Sequence, residues 1–254
     1  MSRFEPSQSS PSASPPPRTP PAEPHSAEPH PGRPLRAADV LLLLGAVAYS
    51  AWLTEMFVAT GLDPLRTYVS ELAAEGEPLG RLLRSTDLAA GLLLTAAAAT
   101  ALAAGRRPRS RWAVTGLTAL AVFGAATVAD SRVPLSCTPT ADPACAEREA
   151  AGLVPGTHVA HTYTSSLAVT AALVAMVALT LAVRRGRRRD LLARTGPWIV
   201  AAELAASAWT LASVAAFEAG DGTWLLGLAQ RLQVLLIALW LVLFARSLAK
   251  GAAP

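Results

Sequence analysis

Charge is scarce in this chain: only 16% of its 254 residues are Asp, Glu, Lys or Arg, while 52% are hydrophobic and the mean hydropathy is +0.37. That balance excludes an ordinary soluble domain and calls for a membrane test first. Aliphatic side chains are almost missing from the first 36 residues, which hold 11 of the 20 prolines. Such a stretch has too little apolar surface to offset the entropy of ordering, so residues 1–36 are predicted to be a disordered, Pro-rich cytoplasmic tail, read as a spacer in preference to a proline-motif docking segment. A secretory signal is lacking too, so the first apolar run is expected to act as an uncleaved anchor. Cysteine is limited to Cys137 and Cys145. The net charge of +4 is carried mainly by arginines clustered between apolar runs. There they read as topology signals and contacts to anionic lipid, and no nucleic-acid partner is expected.

What is present is a series of six apolar runs, at about 37–60, 86–104, 112–130, 158–183, 197–217 and 224–248. Each is near the ~20 residues that cross ~30 Å of hydrocarbon, where backbone groups must satisfy one another, so each predicts a helix. The fold class is therefore all-α: a polytopic six-transmembrane-helix bundle over 37–248, with a short cytoplasmic C-terminal tail at 249–254. Pro197 is expected at the first turn of its helix, where its missing N–H costs little. Small residues at 95–100 and at Ala201, Ala202, Ala205 and Ala206 predict close helix packing and a compact bundle rather than an open pore. Placing the arginine-rich segments 106–111 and 184–189 inside, with both termini, puts 16 of the 22 basic residues in the cytoplasm. The expected location is thus the inner (cytoplasmic) membrane, multi-pass, with membrane lipid as the surrounding partner.

Ionisable residues gather near the outer ends of the runs, and because charge is costly in lipid such a gathering marks a candidate site. Asp130 ends the third run, where the helix dipole disfavours a carboxylate, so it needs a partner. His158 and His161 enter the fourth run three apart, on one face, where the dipole favours neutral imidazoles. Asp130, His158 and His161 together suit a three-ligand divalent-metal site, zinc for example, with an open position for water. The other reading pairs Asp130 with Arg132 or Arg231 and leaves the histidines bonding loop carbonyls. Arg231, with Gln230 and Gln233, lies within the sixth run and must pair or snorkel. Glu55, Asp87, Asp130 and Glu218 are its candidate partners. It reads either as a grip on a lipid head group or as a buried ion pair that sets helix register. Asp87 reads as the N-terminal cap of the second helix, with a ligand role as the alternative. Glu203, deep in the fifth run, is expected to hydrogen-bond across helices or to carry a proton. Cys137 and Cys145 lie in an outer loop, where a structural disulfide is preferred to a reactive thiol.

Several short motifs carry a resemblance. They are Tyr68-Val69-Ser70-Glu71-Leu72, Asp87 with Gly91-Leu92-Leu93, Asp130 through Cys137, and His158 with His161. In this order they resemble a bacterial integral membrane family known as the domain of unknown function numbered nine-nine-eight. The resemblance covers most of 37–248, implies six membrane helices and brings no established activity. A looser similarity is to the alkaline ceramidase and progestin-receptor type of membrane hydrolase, in which Ser, Asp and His at helix ends hold zinc. This chain departs from it in having six helices and no third histidine in the membrane domain.

Three functions follow as expectations. One is a membrane protein whose outer polar cluster organises the bundle and binds a lipid head group or protein partner, with Arg231, Asp87, Glu55 and Glu71 as head-group or ion-pair candidates. Another is a metal-dependent hydrolase at the outer leaflet, using Asp130, His158 and His161 with Ser70 or Glu71 as accessories. A small transporter comes last, since neither a repeat nor a broken helix marks a central site. Whether the chain is an enzyme is open at this stage.

Overall fold

The computed structural model describes Met1 and residues 33–104, 110–186 and 189–250. Most of the tail expected over 1–36, and residues 251–254, lie outside the described residues. Among those described, the fold is all-helical: α1 (Arg33–Tyr49), α2 (Gly80–Ala103), α3 (Arg111–Asp130), α4 (Pro143–Ala150), α5 (Gly156–Gly186), α6 (Leu191–Glu218) and α7 (Leu226–Ala249). Six apolar stretches are long enough to cross a membrane, the first being Arg36–Phe57 and the others α2, α3, α5, α6 and α7. They coincide with the six expected runs. The short α4 belongs to the loop between α3 and α5.

Helix starts do not follow the onset of hydrophobicity, and at α3, α4 and α6 a capping side chain sets them. Ser110 Oγ accepts from Ala113 N at the head of α3, Asp142 from Ala144 N with Pro143 in the first turn of α4, and Asp190 from Leu192 N at α6. Two expectations change in consequence. The fifth membrane helix begins at Leu191, so Pro197 lies inside it rather than at its first turn. The second begins at Gly80, which places Asp87 about two turns inside α2 instead of at its cap. Hydropathy located the part of each helix that meets lipid and missed the polar turns before it. The first span also changes character, from α-helix to a 3₁₀ helix, Ala51–Phe57.

Each span packs against the next in sequence, and α7 returns against α1, closing a ring of six. At its centre Leu120 and Phe123 of α3 meet Ala172, Ala175 and Met176 of α5 and Ile237, Trp240 and Leu241 of α7, leaving no room for a water molecule. Trp240 Nε1 donates to Thr180 Oγ1 at 3.0 Å, which satisfies the indole inside the core. Large apolar side chains point outward on several helices, among them Val47, Leu92, Leu167, Leu211 and Leu235. A soluble surface does not carry that much exposed aliphatic area, whereas lipid solvates it.

Small residues make the ring tight. A Cβ on Gly124 would sit 2.6 Å from the Gly91 carbonyl and 2.5 Å from Thr95 Oγ1, so α2 and α3 cross backbone to backbone. Ala97 and Ala98 are fully buried, as the small-residue run predicts. The second small-residue stretch behaves differently: Ala206 is buried but Ala201, Ala202 and Ala205 are exposed. The inward stripe of α6 is Glu203, Ala206, Ser207, Thr210 and Ser213, which leaves the other alanines to face outward.

Gly124→Val is expected to destabilise the bundle by about 1–3 kcal/mol through overpacking. Gly156→Ala, whose added Cβ meets nothing within 4 Å, is expected to be nearly neutral. Thermal unfolding of the detergent-purified variants checks both.

Candidate functional site at the loop face

The ends of α1, α3 and α6 and the starts of α2, α5 and α7 meet at one face of the ring, opposite the ends of α2 and α5. This loop face is organised from α7. A Cβ on Gly227 would lie 2.5 Å from the Pro64 carbonyl and 2.6 Å from that of Thr67, so glycine lets the first loop lie directly on the helix. Gln230 Oε1 accepts from Val69 N at 2.9 Å one turn on. Arg231 then forks onto Glu55, with Nε to Oε1 at 2.7 Å and Nη2 to Oε2 at 2.6 Å, while Nη1 donates to the Thr67 and Gly227 carbonyls at 3.0 and 3.1 Å. Four of the five guanidinium N–H groups are thereby used, in a pair about nine-tenths buried. Of its four candidate partners, Arg231 takes Glu55, and little donor capacity remains for a head group.

The first loop is fastened in turn to the second. Glu71, in the 3₁₀ helix Val69–Ala73, is fully buried. It accepts from Tyr68 N at 2.9 Å, from Thr140 N at 2.7 Å and from the Thr140 hydroxyl. Thr140 lies between Cys137 and Cys145, which are disulfide-bonded. Loss of water on burial outweighs these donors and pushes the Glu71 carboxyl above the usual glutamate range. Below the same loop, His158 Nδ1 accepts from Ser136 N at 3.2 Å and lies 3.0 Å from Ser136 Oγ. A backbone N–H can only donate, so in the neutral ring the proton sits on Nε2, facing Glu149 Oε1 at 3.4 Å.

Asp130 finds its partners on α5 rather than in Arg132 or Arg231. Thr164 and Ser165 hydroxyls donate to Oδ1, the latter at 2.9 Å, and His161 Nδ1 lies 3.2 Å from the same oxygen, outside hydrogen-bonding geometry. His161 Nε2 is 3.2 Å from Ser165 Oγ. Thr164 and Ser165 went unremarked in the sequence reading, although their spacing of three and four from His161 puts all three on one helix face. Asp130 and His161 are thus brought together, while His158 is directed to Ser136 and Glu149. Among the described residues, no group of three or more His, Cys, Asp or Glu is arranged to hold a metal ion.

Half-buried Asp87 lies within Coulombic range of Asp130, and both act on the Tyr49 hydroxyl of α1 together with Glu203 of α6. Tyr49 is held edge-on against Phe123, ring centroids 5.5 Å apart. Among the described residues, neither aspartate has a lysine or arginine within 4.0 Å. Asp87 of α2, Asp130 of α3 and Tyr49 of α1 thus form a part-buried, acidic group near the loop face.

The chain was compared with known proteins on this footing. Residues 42–247 match the family model described as "Protein of unknown function (DUF998)". The chain belongs to this family. The match runs from within α1 to near the end of α7, so it takes in the whole ring and both loops of the site. No curated protein and no solved structure matches the chain.

Two tests follow from this geometry. Glu55→Gln or Arg231→Met alone is expected to cost about 3–5 kcal/mol by leaving a charge buried without its partner, and the double replacement less than either; unfolding of the three variants in detergent measures the difference. Because burial raises the Glu71 value in the folded state, its stabilising contribution is complete below the ordinary glutamate value of about 4.3 and is lost as pH rises through the raised one. Glu71→Gln should flatten that part of the stability-against-pH curve.

Proposed function

We propose that this chain is an inner-membrane protein, with both ends in the cytoplasm, that uses its outer face to bind the ammonium group of a lipid head group. The orientation rests on the arginine-rich turns at the opposite face, since basic residues are retained in the cytoplasm. One observation carries the ligand reading: Asp87 and Asp130 lie within Coulombic range of each other, part-exposed and without a basic side chain, while the nearby Arg231 is committed to Glu55. Two like charges at a membrane boundary favour a cation between them, and an ammonium group supplies one at that depth. The aromatic ring of Tyr49 beside them adds a face on which a cation can rest.

The other readings have less support. For a metal-dependent hydrolase, the partners of His158 and His161 diverge onto Ser136 and Asp130, so the proposed ligand set does not converge. For a transporter, the close packing of α3, α5 and α7 offers no central passage between the faces. The basic residues and arginine clusters are accounted for by topology, so the reading includes no nucleic-acid partner.

The test is the thermal stability of delipidated protein titrated with phosphatidylethanolamine or with phosphatidylglycerol. The amine lipid is expected to raise Tm and the anionic one not to, with the response lost in Asp87→Asn and in Asp130→Asn. Equal responses to the two lipids, or a response that survives both substitutions, would end this reading.

A further inference from the structure

Glu203 belongs to neither loop. It lies within the 28-residue α6, about 18 Å of helix rise from the first residue, and is 0% exposed. Neither of its carboxyl oxygens has a hydrogen-bond partner among the described residues. Ser207 and Gln233 stand beside it as weak polar neighbours, and Gln233 Nε2 donates to Ser207 Oγ at 2.8 Å. From there a seam of polar side chains continues between α6 and α7 toward the loop face, in two separate bonded pieces. Thr210 Oγ1 donates to Gln233 Oε1 at 3.4 Å, and Ser213 Oγ donates to the Trp224 carbonyl at 3.2 Å, in the turn that joins the two helices.

A bare carboxylate at this depth costs several kcal/mol or more, and no lysine or arginine among the described residues lies within ion-pairing distance to offset it. A bound metal cation would need oxygens free to turn toward it. Here the Ser207 and Gln233 oxygens already accept bonds within the seam. A proton needs only the carboxyl. We therefore infer that Glu203 is an intramembrane proton-binding site that exchanges with the loop face along the Ser207, Gln233, Thr210 and Ser213 seam. Of the two helices packed against α6, α7 presents Gln233 to this carboxyl and α5 presents no ionisable side chain acting on it; Tyr49 of α1, which does not pack on α6, is the titratable group within electrostatic range, itself acted on by Asp87 and Asp130.

Dicyclohexylcarbodiimide tests this, because it enters lipid and reacts with a protonated carboxyl. The acid proton goes to one carbodiimide nitrogen, the carboxylate oxygen bonds the central carbon, and the O-acylisourea rearranges to a stable N-acylurea. The full chain is treated in proteoliposomes of one orientation, and the adduct is located by mass spectrometry. The adduct is expected on Glu203, absent in Glu203→Gln, and formed about tenfold more slowly for each unit by which loop-side pH is raised above the point where the carboxyl ionises. Raising pH on the arginine-rich side should leave the rate unchanged. An adduct that forms on Asp87 or Asp130 but not on Glu203, a rate governed from the arginine-rich side, or protection by sodium at constant pH would each overturn the proposal. Because the site is read in the unmodified chain, the inference stands or falls even where Glu203→Gln does not fold.

Discussion

The loop face depends on one buried ion pair, Arg231 with Glu55. A guanidinium at a membrane boundary is tolerable only when its donors are met in the plane of the fork, and two carboxylate oxygens with two carbonyls do that here. The pair fixes more than two side chains. Glu55 lies in the 3₁₀ turn that ends the first span, and Thr67 lies in the loop beyond it, so both are drawn onto α7. With that loop in place Glu71 reaches Thr140, and the disulfide-bonded loop is in turn held to α5 by Ser136 and His158. Four connections in sequence thereby tie the top of the ring together.

This chain of attachments also decides what charge is left over. Arg231 is occupied by Glu55, and Asp130 is met by two hydroxyls and an imidazole of α5. Hydroxyl donors can satisfy the lone pairs of Asp130, but they bring no net positive charge. Two aspartates placed in this way favour a cation over a phosphate, and it is on this that the proposed ammonium ligand rests. Charge partition, rather than cavity size, carries that step.

The membrane architecture was legible in the sequence because lipid imposes a simple requirement: about 20 apolar residues per crossing and internal satisfaction of the backbone. Helix starts were not legible, since Gly80 and Leu191 precede the apolar runs and are set by local backbone bonding and by the Asp190 cap. The pairing of Arg231 was narrowed to four acids but not to one, because periodicity says which residues share a helix face and not how the first loop folds over α7. The two ends of the Asp130 network show the same limit. His161 stood out as an ionisable residue in a membrane helix, whereas Thr164 and Ser165 on its face passed as ordinary helix residues. Hydroxyls carry no charge penalty in lipid, so nothing in composition separates one that bonds its own helix from one that reaches a carboxylate.

Asp130 and Glu203 then pose the same problem at two depths and reach different solutions. Asp130 ends its helix near the loops, about a quarter exposed, and gathers three polar groups from α5. Glu203 sits inside α6 with no accessible surface, beside an amide and a hydroxyl that bond each other. The Gln233 amide beside it is also tied to Ser207 and Thr210, and Ser213 bonds the α6–α7 turn further along the same stripe. An acid buried inside lipid without a basic partner is stable when neutral, and it becomes useful when the ion that neutralises it can leave. The seam is what distinguishes Glu203 from a tolerated defect, because a carboxyl sealed by aliphatic side chains would need no polar connection to either face.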